Sequence, residues 1–441
     1  MPAGINGMKI EDIRHLRKQE IVSCFERQRT TFPEDVKKSV EKIINDVKER
    51  GDSALIDFTE KFDGVRLKKE ELSVTEEEIE EASRDVPGDF FDAITVAVER
   101  VRRFHEHSIP KDWSFVDEYG DMLGQRYSVI ERVGVYIPGG TALYPSSLVM
   151  TAVPAIVAGV RDITIISPPG SFVSPSVLAA TIGKISGVSD VAFSVFRIGG
   201  VQGIAALGLG TESVGKVDKI VGPGNVWVAC AKKEFFGMVD IDMIAGPSEV
   251  LVVADGSVDP KLTAIDLLAQ AEHDERAKAL CVTFSKDDAR AIKRWVEKLT
   301  ADSERKEIIE KALGDHGRIY VVSDEECALA AVNEIAPEHL ELHTEKPEKF
   351  LPGVKNAGAI FIGSSTAEAF GDYIAGPSHV LPTGGSARFF SPLSVSSFLK
   401  YSSVVQMSKR GVEELGAYAK TIASLEGLHS HGLSVDFREE G

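Results

Sequence analysis

Three short stretches of this chain bring acid–base and ligating side chains close together. Ile335-Ala336-Pro337-Glu338-His339 sets a carboxylate beside an imidazole. The proline disfavours α geometry at Ala336 and so starts a new turn. That predicts Glu338 and His339 at the edge of an element, with both side chains able to reach a cleft. A carboxylate next to an imidazole favours the imidazolium and raises its pKa, which suits a base that accepts an alcohol proton near neutral pH. The plainer alternative is an exposed glutamate and a capping histidine. In the second stretch, LLAQAEHDE (267–275), Gln270 and His273 stand three apart. On a helix that spacing is one face, so the amide oxygen and an imidazole nitrogen converge on one point. The third feature is a pattern used twice: Asp-x-Ile-Ala-Gly-Pro-Ser-x-Val-Leu occurs at Asp242–Leu251 and again at Asp372–Leu381. It reads either as a favoured turn repeated or, as we prefer, as two related half-structures that each lend a Gly-Pro-Ser turn to a shared cleft.

Of the ten histidines, His15, His105, His107 and His316 lie in charged or loop-like surroundings and are expected at the surface. His273, His339, His379 and His431 each sit beside a carboxylate or a Gly-Pro turn. Gln270, His273, Asp372 and His431 together offer two imidazoles, a carboxylate and an amide oxygen, a set suited to Zn²⁺ with room for a substrate. Lacking thiolates, it is not a structural zinc cage. His339 and His343 are spaced as an H-x-x-x-H pair, but HLELHT alternates like a strand, so a metal reading there is set aside. Two glycine-rich turns are near misses. Gly222-Pro223-Gly224-Asn225-Val226-Trp227 has Trp where a dinucleotide fingerprint has its third glycine, and Gly210-x4-Gly215-Lys216 is followed by Val217. Gly222–Asn225 nevertheless follows an apolar strand and precedes a helix, where backbone N–H groups can face a phosphate or ribose. The bland reading is a tight strand–helix turn. Pro138-Gly139-Gly140-Thr141 has the same ambiguity, and Tyr136 beside it could stack on a flat ring.

These residues need elements to hold them. The 441 residues are 43% hydrophobic, enough for two or more cores, since single cores stop growing near ~250–300 residues. Residues 1–125 read as a helical region; Phe32-Pro33-Glu34-Asp35 opens a helix through Val36, Val40, Ile43, Ile44 and Val47 that Gly51 ends. From Tyr127 short β-rich runs alternate with helical ones, which predicts βαβ units in parallel sheets covered by helices. The fold class is therefore α/β: two parallel-sheet lobes, at 126–240 and 241–385, with the helical region before them and a helical tail at 386–441. Strands are expected to stop near Phe390, with LSVSSFLK already helical. The formal net charge of −18 gives no basic footprint for nucleic acid or anionic lipid. Leu148–Val160 is the longest nearly apolar run, broken by Thr151 and Pro154 and short of the ~20 residues of a membrane span. No secretory signal is visible. Cys24, Cys230, Cys281 and Cys327 form no CxxC pair and fit a reducing, cytoplasmic setting rather than a disulfide framework.

The stretches YIPGG (136–140), GGVQGIAALGLGTESVGKVDKIVGPGN (199–225), DMIAGPSEVLVVAD (242–255), LLAQAEHDE (267–275), APEHLEL (336–342), GDYIAGPSHVLPTGG (371–385) and EGLHSH (426–431) together resemble the histidinol dehydrogenase family over nearly the whole chain. The resemblance implies oxidation of L-histidinol through an enzyme-held aldehyde to L-histidine with two NAD⁺, at the end of histidine biosynthesis. It implies one Zn²⁺ per subunit, two Rossmann-like lobes per chain, and a homodimer with shared active sites. It carries zinc ligation onto Gln270, His273 and Asp372 of one subunit and onto His431 of a tail exchanged with the neighbour. Substrate contacts fall on Ser248, Gln270, His273, Glu338, His339, Asp372, His379, Glu426 and His431. Cofactor contacts fall on Tyr136, Gln202 and Asn225, and the catalytic pair is Glu338 and His339. A route through a cysteine thiohemiacetal is less attractive, because no cysteine lies near these motifs. The alternatives are an NAD⁺ dehydrogenase of another small amino alcohol or diol, a zinc hydrolase using Glu338 as its base, and an inactive structural homologue.

Overall fold

The computed structural model describes residues 7–25, 31–84, 86–139, 144–172, 177–187 and 191–440. Its strands are β1 (Lys9–Asp12), β2 (Trp113–Val116), β3 (Met122–Val129), β4 (Arg132–Tyr136), β5 (Asp162–Ser167), β6 (Ala192–Arg197), β7 (Lys219–Val221), β8 (Asp240–Ile241), β9 (Glu249–Ala254), β10 (Lys278–Thr283), β11 (Arg318–Val321), β12 (His339–His343), β13 (Ala359–Ile362) and β14 (Leu399–Gln406). They form two parallel sheets, ordered β6-β5-β4-β7-β8 and β1-β11-β10-β9-β12-β13, and an antiparallel one, β14-β3-β2. Leaving β1 aside, each parallel sheet counts 3-2-1-4-5 in its own strands, the doubly wound order, with its switch point at β4/β7 in one and β9/β12 in the other. Two Rossmann-like lobes are thus present: the alternation of short apolar runs implied two α/β lobes, and the family resemblance their Rossmann-like form.

Both sheets are buried on both faces, which is why their strands read as nearly continuous apolar runs. In the first lobe Val133, Val135, Ile163 and Ile165 pack on the helices Gly88–Glu106, Pro145–Ala158 and Val177–Ser186. Ile166, Phe196 and Ile220 pack on the other side against the helices Glu34–Arg50, Gly200–Leu209 and Val226–Phe235. In the second lobe Val250, Val252 and Cys281 face the helices Pro260–Ala271, Lys286–Ala301 and Lys306–His316, while Leu251, Val253, Leu340 and Leu342 face Glu325–Ile335. The helix Glu34–Arg50 buries Val36, Val40, Ile43 and Val47 and ends at Gly51, as its spacing predicted.

Three expectations need correction. The first 125 residues are not all helical. Lys9–Asp12 joins the second lobe as a parallel edge strand on β11, and Trp113–Val116 pairs antiparallel with β3. Lys-Ile-Glu-Asp has one apolar residue, too few to set up an apolar–polar pattern, and Trp113–Val116 is exposed throughout. The tail keeps a strand too: after a single 3₁₀ turn at Val395–Phe398, Leu399–Gln406 pairs along its full length with β3. Leu393, Val395 and Phe398 are apolar because they enter the first-lobe core, not because they line a helix. His105, expected at the surface, is buried. It follows Ile94, Val98 and Val101 on one stripe of its helix, neither ring nitrogen has a partner, and burial lowers its pKa to about 4. Cys230, Cys281 and Cys327 are buried free thiols and Cys24 is exposed. Among the described residues no helix is long and apolar enough to cross a membrane.

The twice-used pattern has a structural meaning. Gly246-Pro247-Ser248 comes after β8 and Gly376-Pro377-Ser378 comes after β13, each beyond the fifth strand of its lobe. The two segments meet where the Gly246 N–H donates to Thr383 Oγ1 at 2.6 Å. They diverge past the serine, since the first runs into β9 and the second stays irregular.

Candidate metal and acid–base site

The site is built where β9 and β12 begin. The helix Glu325–Ile335 is ended by Ala336 in the left-handed region (φ 50°), the one non-glycine residue with positive φ among those described. Pro337 comes next, and the chain turns straight into β12, so Glu338 and His339 do stand at an element's edge. The register sets His339 opposite Val250. Strand alternation then puts His339, Glu341 and His343 on the face covered by the helix Pro260–Ala271, and Leu340 and Leu342 on the other.

His339 is 4% exposed. Its Nδ1–H donates to the Glu249 carbonyl at 3.2 Å, which leaves Nε2 as the unprotonated nitrogen. Nε2 has no hydrogen-bond partner and lies 3.8 Å from Asp372 Oδ1. Burial lowers the His339 pKa to about 4, and Asp372 only partly opposes it. The expected imidazolium paired with Glu338 is therefore not what forms. Glu338 Oε2 stands 3.9 Å from His339 Nδ1 and instead accepts the Glu249 N–H at 2.9 Å, with the Ser248 hydroxyl also donating to this carboxylate. Glu338 is pushed well above the usual carboxylate range by burial, with the charges of Glu249 and Asp372 adding to it. A neutral imidazole with a free, buried Nε2 is already a proton acceptor and needs no partner to become one.

The ligating groups come from two helix ends. The helix Pro260–Ala271 stops two residues before His273, so Gln270 and His273 do not share a helical face as the spacing predicted. His273 sits in the turn beyond it, its N–H donating to the Gln270 carbonyl at 3.3 Å. Its ring still comes together with Glu368 and Asp372: one ligand atom from each of the three lies within 4.8 Å of the others. Gln270 is fully buried, and both polar atoms of its amide lack a partner. Asp372 and its counterpart in the repeat have parted roles. Asp242 is closed off by Lys232 and by the Gly222 N–H, whereas among the described residues no lysine or arginine pairs with Asp372, Glu338, Glu341 or Glu368. His379 donates from Nδ1 to the Asp372 carbonyl at 2.8 Å, and its Nε2 lies 3.3 Å from the Ser147 hydroxyl.

His343 takes part in a separate group, its Nε2 being 3.5 Å from Glu341 Oε2 and 3.6 Å from Asp266 Oδ2. It does not pair with His339. Burial raises Glu341 to about 9 and Asp266 to about 6. Glu426 and His431 lie in the tail, exposed, and belong to neither group. Tyr136, Gln202 and Asn225 are gathered at the carboxyl ends of first-lobe strands, around the β4/β7 switch point. Tyr136 is buried and its phenol is pushed up to about 12 by that burial. Gln202 is buried with Oε1 unpartnered. Asn225 caps the helix Val226–Phe235 by accepting the N–H groups of Trp227 and Val228. The turn before it is tight: a Cβ on Gly222 would stand 2.1 Å from the Tyr136 carbonyl oxygen. Pro138 and Gly139 are described, while Gly140 and Thr141 lie outside the described residues. Reading the sequence alone misses Glu249, Glu341 and Glu368. The one available signal is that Glu368 stands four residues before Asp372.

A sequence model of the family described as histidinol dehydrogenase matches residues 26–439. The chain belongs to the histidinol dehydrogenase family. It is 49% identical over 409 residues to the histidinol dehydrogenase of Syntrophotalea carbinolica, covering 92% of this chain and 94% of that one. With the Aquifex aeolicus enzyme the identity is 46%, over 98% and 100% of the two chains. The crystal structure of histidinol dehydrogenase from Elizabethkingia anophelis superposes with a TM-score of 0.91 at 32% identity, covering 99% of each chain. The protein is accordingly an enzyme, an oxidoreductase of the histidinol dehydrogenase family, with the two-lobed fold of that crystal structure.

Proposed function

We propose that this enzyme oxidises L-histidinol through L-histidinal to L-histidine, the last steps of histidine biosynthesis, reducing two NAD⁺. We assign a zinc ion to Gln270, His273 and Asp372 of one subunit and His431 of a second copy of the chain. The observation that carries the reading is the buried, unpartnered Nε2 of His339 beside Asp372, in a cluster of carboxylates that no lysine or arginine among the described residues neutralises. The donor set fits a divalent cation. The orphaned amide of Gln270, the carboxylate of Asp372 and the imidazole of His273 suit zinc with positions left open. When bound, the ion would be chelated by the imidazole and amine of histidinol, which would fix the carbinol carbon.

The chain's own groups then account for the proton movements. His339 Nε2 accepts the alcohol proton in the first oxidation, whose hydride NAD⁺ would take up when bound. Glu338 lies behind His339 on the same turn and activates the water that adds to the aldehyde. His339, its first proton released, accepts the hydroxyl proton of the hydrate as the second hydride leaves. Ser248, Gln270, His273, Glu338, His339, Asp372 and His379 contact the substrate from one subunit and Glu426 and His431 from the other. Tyr136, Gln202 and Asn225 contact NAD⁺. An exchanged tail in a homodimer is supported by the exposure of Phe115, Val116, Tyr401 and Val405 on the antiparallel sheet and of Tyr418, Leu425 and Phe437 in the tail. The free thiols fit a cytoplasmic enzyme. The test is the yield of NADH, read by its near-ultraviolet absorbance, with limiting histidinol. Two NADH per histidinol is expected; one would remove the second oxidation, and turnover without NAD⁺ would replace the reading with hydrolysis.

A further inference from the structure

Beside the residues assigned to the ion stands a carboxylate with no task. Glu368 is 2% exposed, and its Oε2 has no hydrogen-bond partner. A buried carboxylate oxygen left unsatisfied is costly, so such groups are rare unless something absent from the bare chain answers them. Its position is not accidental. The Glu368 N–H donates to Glu341 Oε1 at 2.8 Å, so a fully buried glutamate of β12 fastens the first turn of the helix Glu368–Tyr373. Asp372 lies one turn further on and therefore on the same face. The ligand atoms of His273, Glu368 and Asp372 lie within 4.8 Å of one another. His273, by contrast, is poorly held: it is exposed, it sits past the end of its helix, and no hydrogen bond to its ring is present among the described residues.

An imidazole that ligates a metal uses one nitrogen, and its other nitrogen carries a proton that needs an acceptor; a carboxylate in that place fixes both tautomer and ring angle. We propose that Glu368 is that acceptor, the positioning residue that holds the ring of His273 in its metal-ligating orientation. The proposal rests on the zinc site assigned above. The competing partner for Glu368, His339 Nδ1, is 3.9 Å away and already donates to the Glu249 carbonyl at 3.2 Å. Asp372 is assigned to the ion itself, which leaves Glu368, with a carboxylate oxygen within 4.8 Å of a His273 ring nitrogen, as the remaining buried acceptor beside that ring.

The test measures metal binding on full-length protein stripped of metal and reloaded with Zn²⁺ or Co²⁺, using wild type, Glu368→Gln, Glu368→Asp and His273→Asn. Glu368→Gln keeps the side chain's shape, and metal-free samples are compared by thermal unfolding to confirm that the variants fold; Glu368→Asp serves if the glutamine variant does not. Loss of a carboxylate behind a ligating histidine lowers metal affinity by roughly 10–100-fold. The expected result for Glu368→Gln or Glu368→Asp is that fall in Zn²⁺ affinity, measured by chelator competition, with one ion per chain still bound at saturation. The visible bands of the Co²⁺ form should keep their positions, because the ligands are unchanged. Affinity within about twofold of wild type would overturn the proposal, and shifted Co²⁺ bands would also overturn it by making Glu368 a direct ligand. Failure of the zinc site itself looks different: wild type would not bind the ion, or His273→Asn would bind it as tightly as wild type.

Discussion

Replacing His339 by asparagine isolates the base. The site tolerates the change in shape, because an asparagine amide N–H can replace Nδ1–H as the donor to the Glu249 carbonyl, the one hydrogen bond that the ring makes. What is lost is the free Nε2, 3.8 Å from Asp372. A positioned general base contributes roughly 10²–10⁴ in rate, equivalent to about 2.7–5.4 kcal/mol of barrier at ~1.36 kcal/mol per decade. Single-turnover measurements with histidinol and with histidinal should both slow by that factor, since the proposed mechanism uses His339 in each oxidation, while metal content stays that of wild type. The pH profile adds a second reading. Burial lowers the His339 pKa to about 4. A group with a lowered pKa is deprotonated above that value, so the base is present throughout the neutral range and is lost only as pH falls through about 4. An acid limb of kcat/KM near the unperturbed histidine value of ~6.5 that vanishes in His339→Asn would refute the burial argument. A variant with undiminished rates would remove His339 from the mechanism.

Three further outcomes are expected. Glu338→Gln should slow the aldehyde-to-acid half more than the alcohol half, because only the second needs an activated water; equal slowing in stopped-flow traces of the two halves would contradict that role. Mixing inactive His431→Asn and His273→Asn chains should restore part of the activity, one site of the heterodimer having both groups intact, and no recovery would mean that the tail serves its own subunit. Gly222→Ala should destabilise the first lobe by roughly 2 kcal/mol or more and raise the KM for NAD⁺, since Gly222 has φ 116° and a Cβ would collide with the Tyr136 carbonyl; an unchanged melting temperature would show that the turn can yield.

How much of the fold is legible in the chain depends on the kind of interaction involved. Alternating apolar runs reveal the two lobes because a strand buried on both faces has to be apolar along its length, as Glu249–Ala254 is but for its first residue. Proline at 337 marks the turn that aims Glu338 and His339, since its constraint is local. The direction of the His339 pKa is hidden for the opposite reason. Adjacency to Glu338 is visible in sequence, but the burial that outweighs it comes from β9 and from the helix before His273. The strands β1, β2 and β14 escape notice because none of them has a fully buried side chain, and only pairing with distant partners makes them strands. The charged neighbours of His105 point outward, although its four-residue step from Val101 is there to be read.

The two lobes share a strand order yet present opposite ends to the cleft, and this difference decides which charge each one takes. The first lobe offers the carboxyl ends of its strands, where the helix Gly200–Leu209 begins after β6 and the helix Val226–Phe235 begins after β7, with Gln202 in the first turn of one and Asn225 capping the other. Helix N-termini carry partial positive charge and free N–H groups, which favours an anion such as a dinucleotide phosphate. The second lobe offers the amino ends of β9 and β12. There the helices Pro260–Ala271 and Glu325–Ile335 finish, just before His273 and Glu338. Helix C-termini carry partial negative charge and free carbonyls, which favours a cation. The first N–H of β9 does not offset this, since that of Glu249 is spent on holding Glu338. A duplicated βαβ framework set amino end against carboxyl end therefore supplies an anion-favouring wall and a cation-favouring wall without any change of fold. On the cation-favouring side, no lysine among the described residues closes off Asp372 as Lys232 closes off Asp242, and that difference within the repeat suits its second copy to the proposed ligand role while the first is a structural turn.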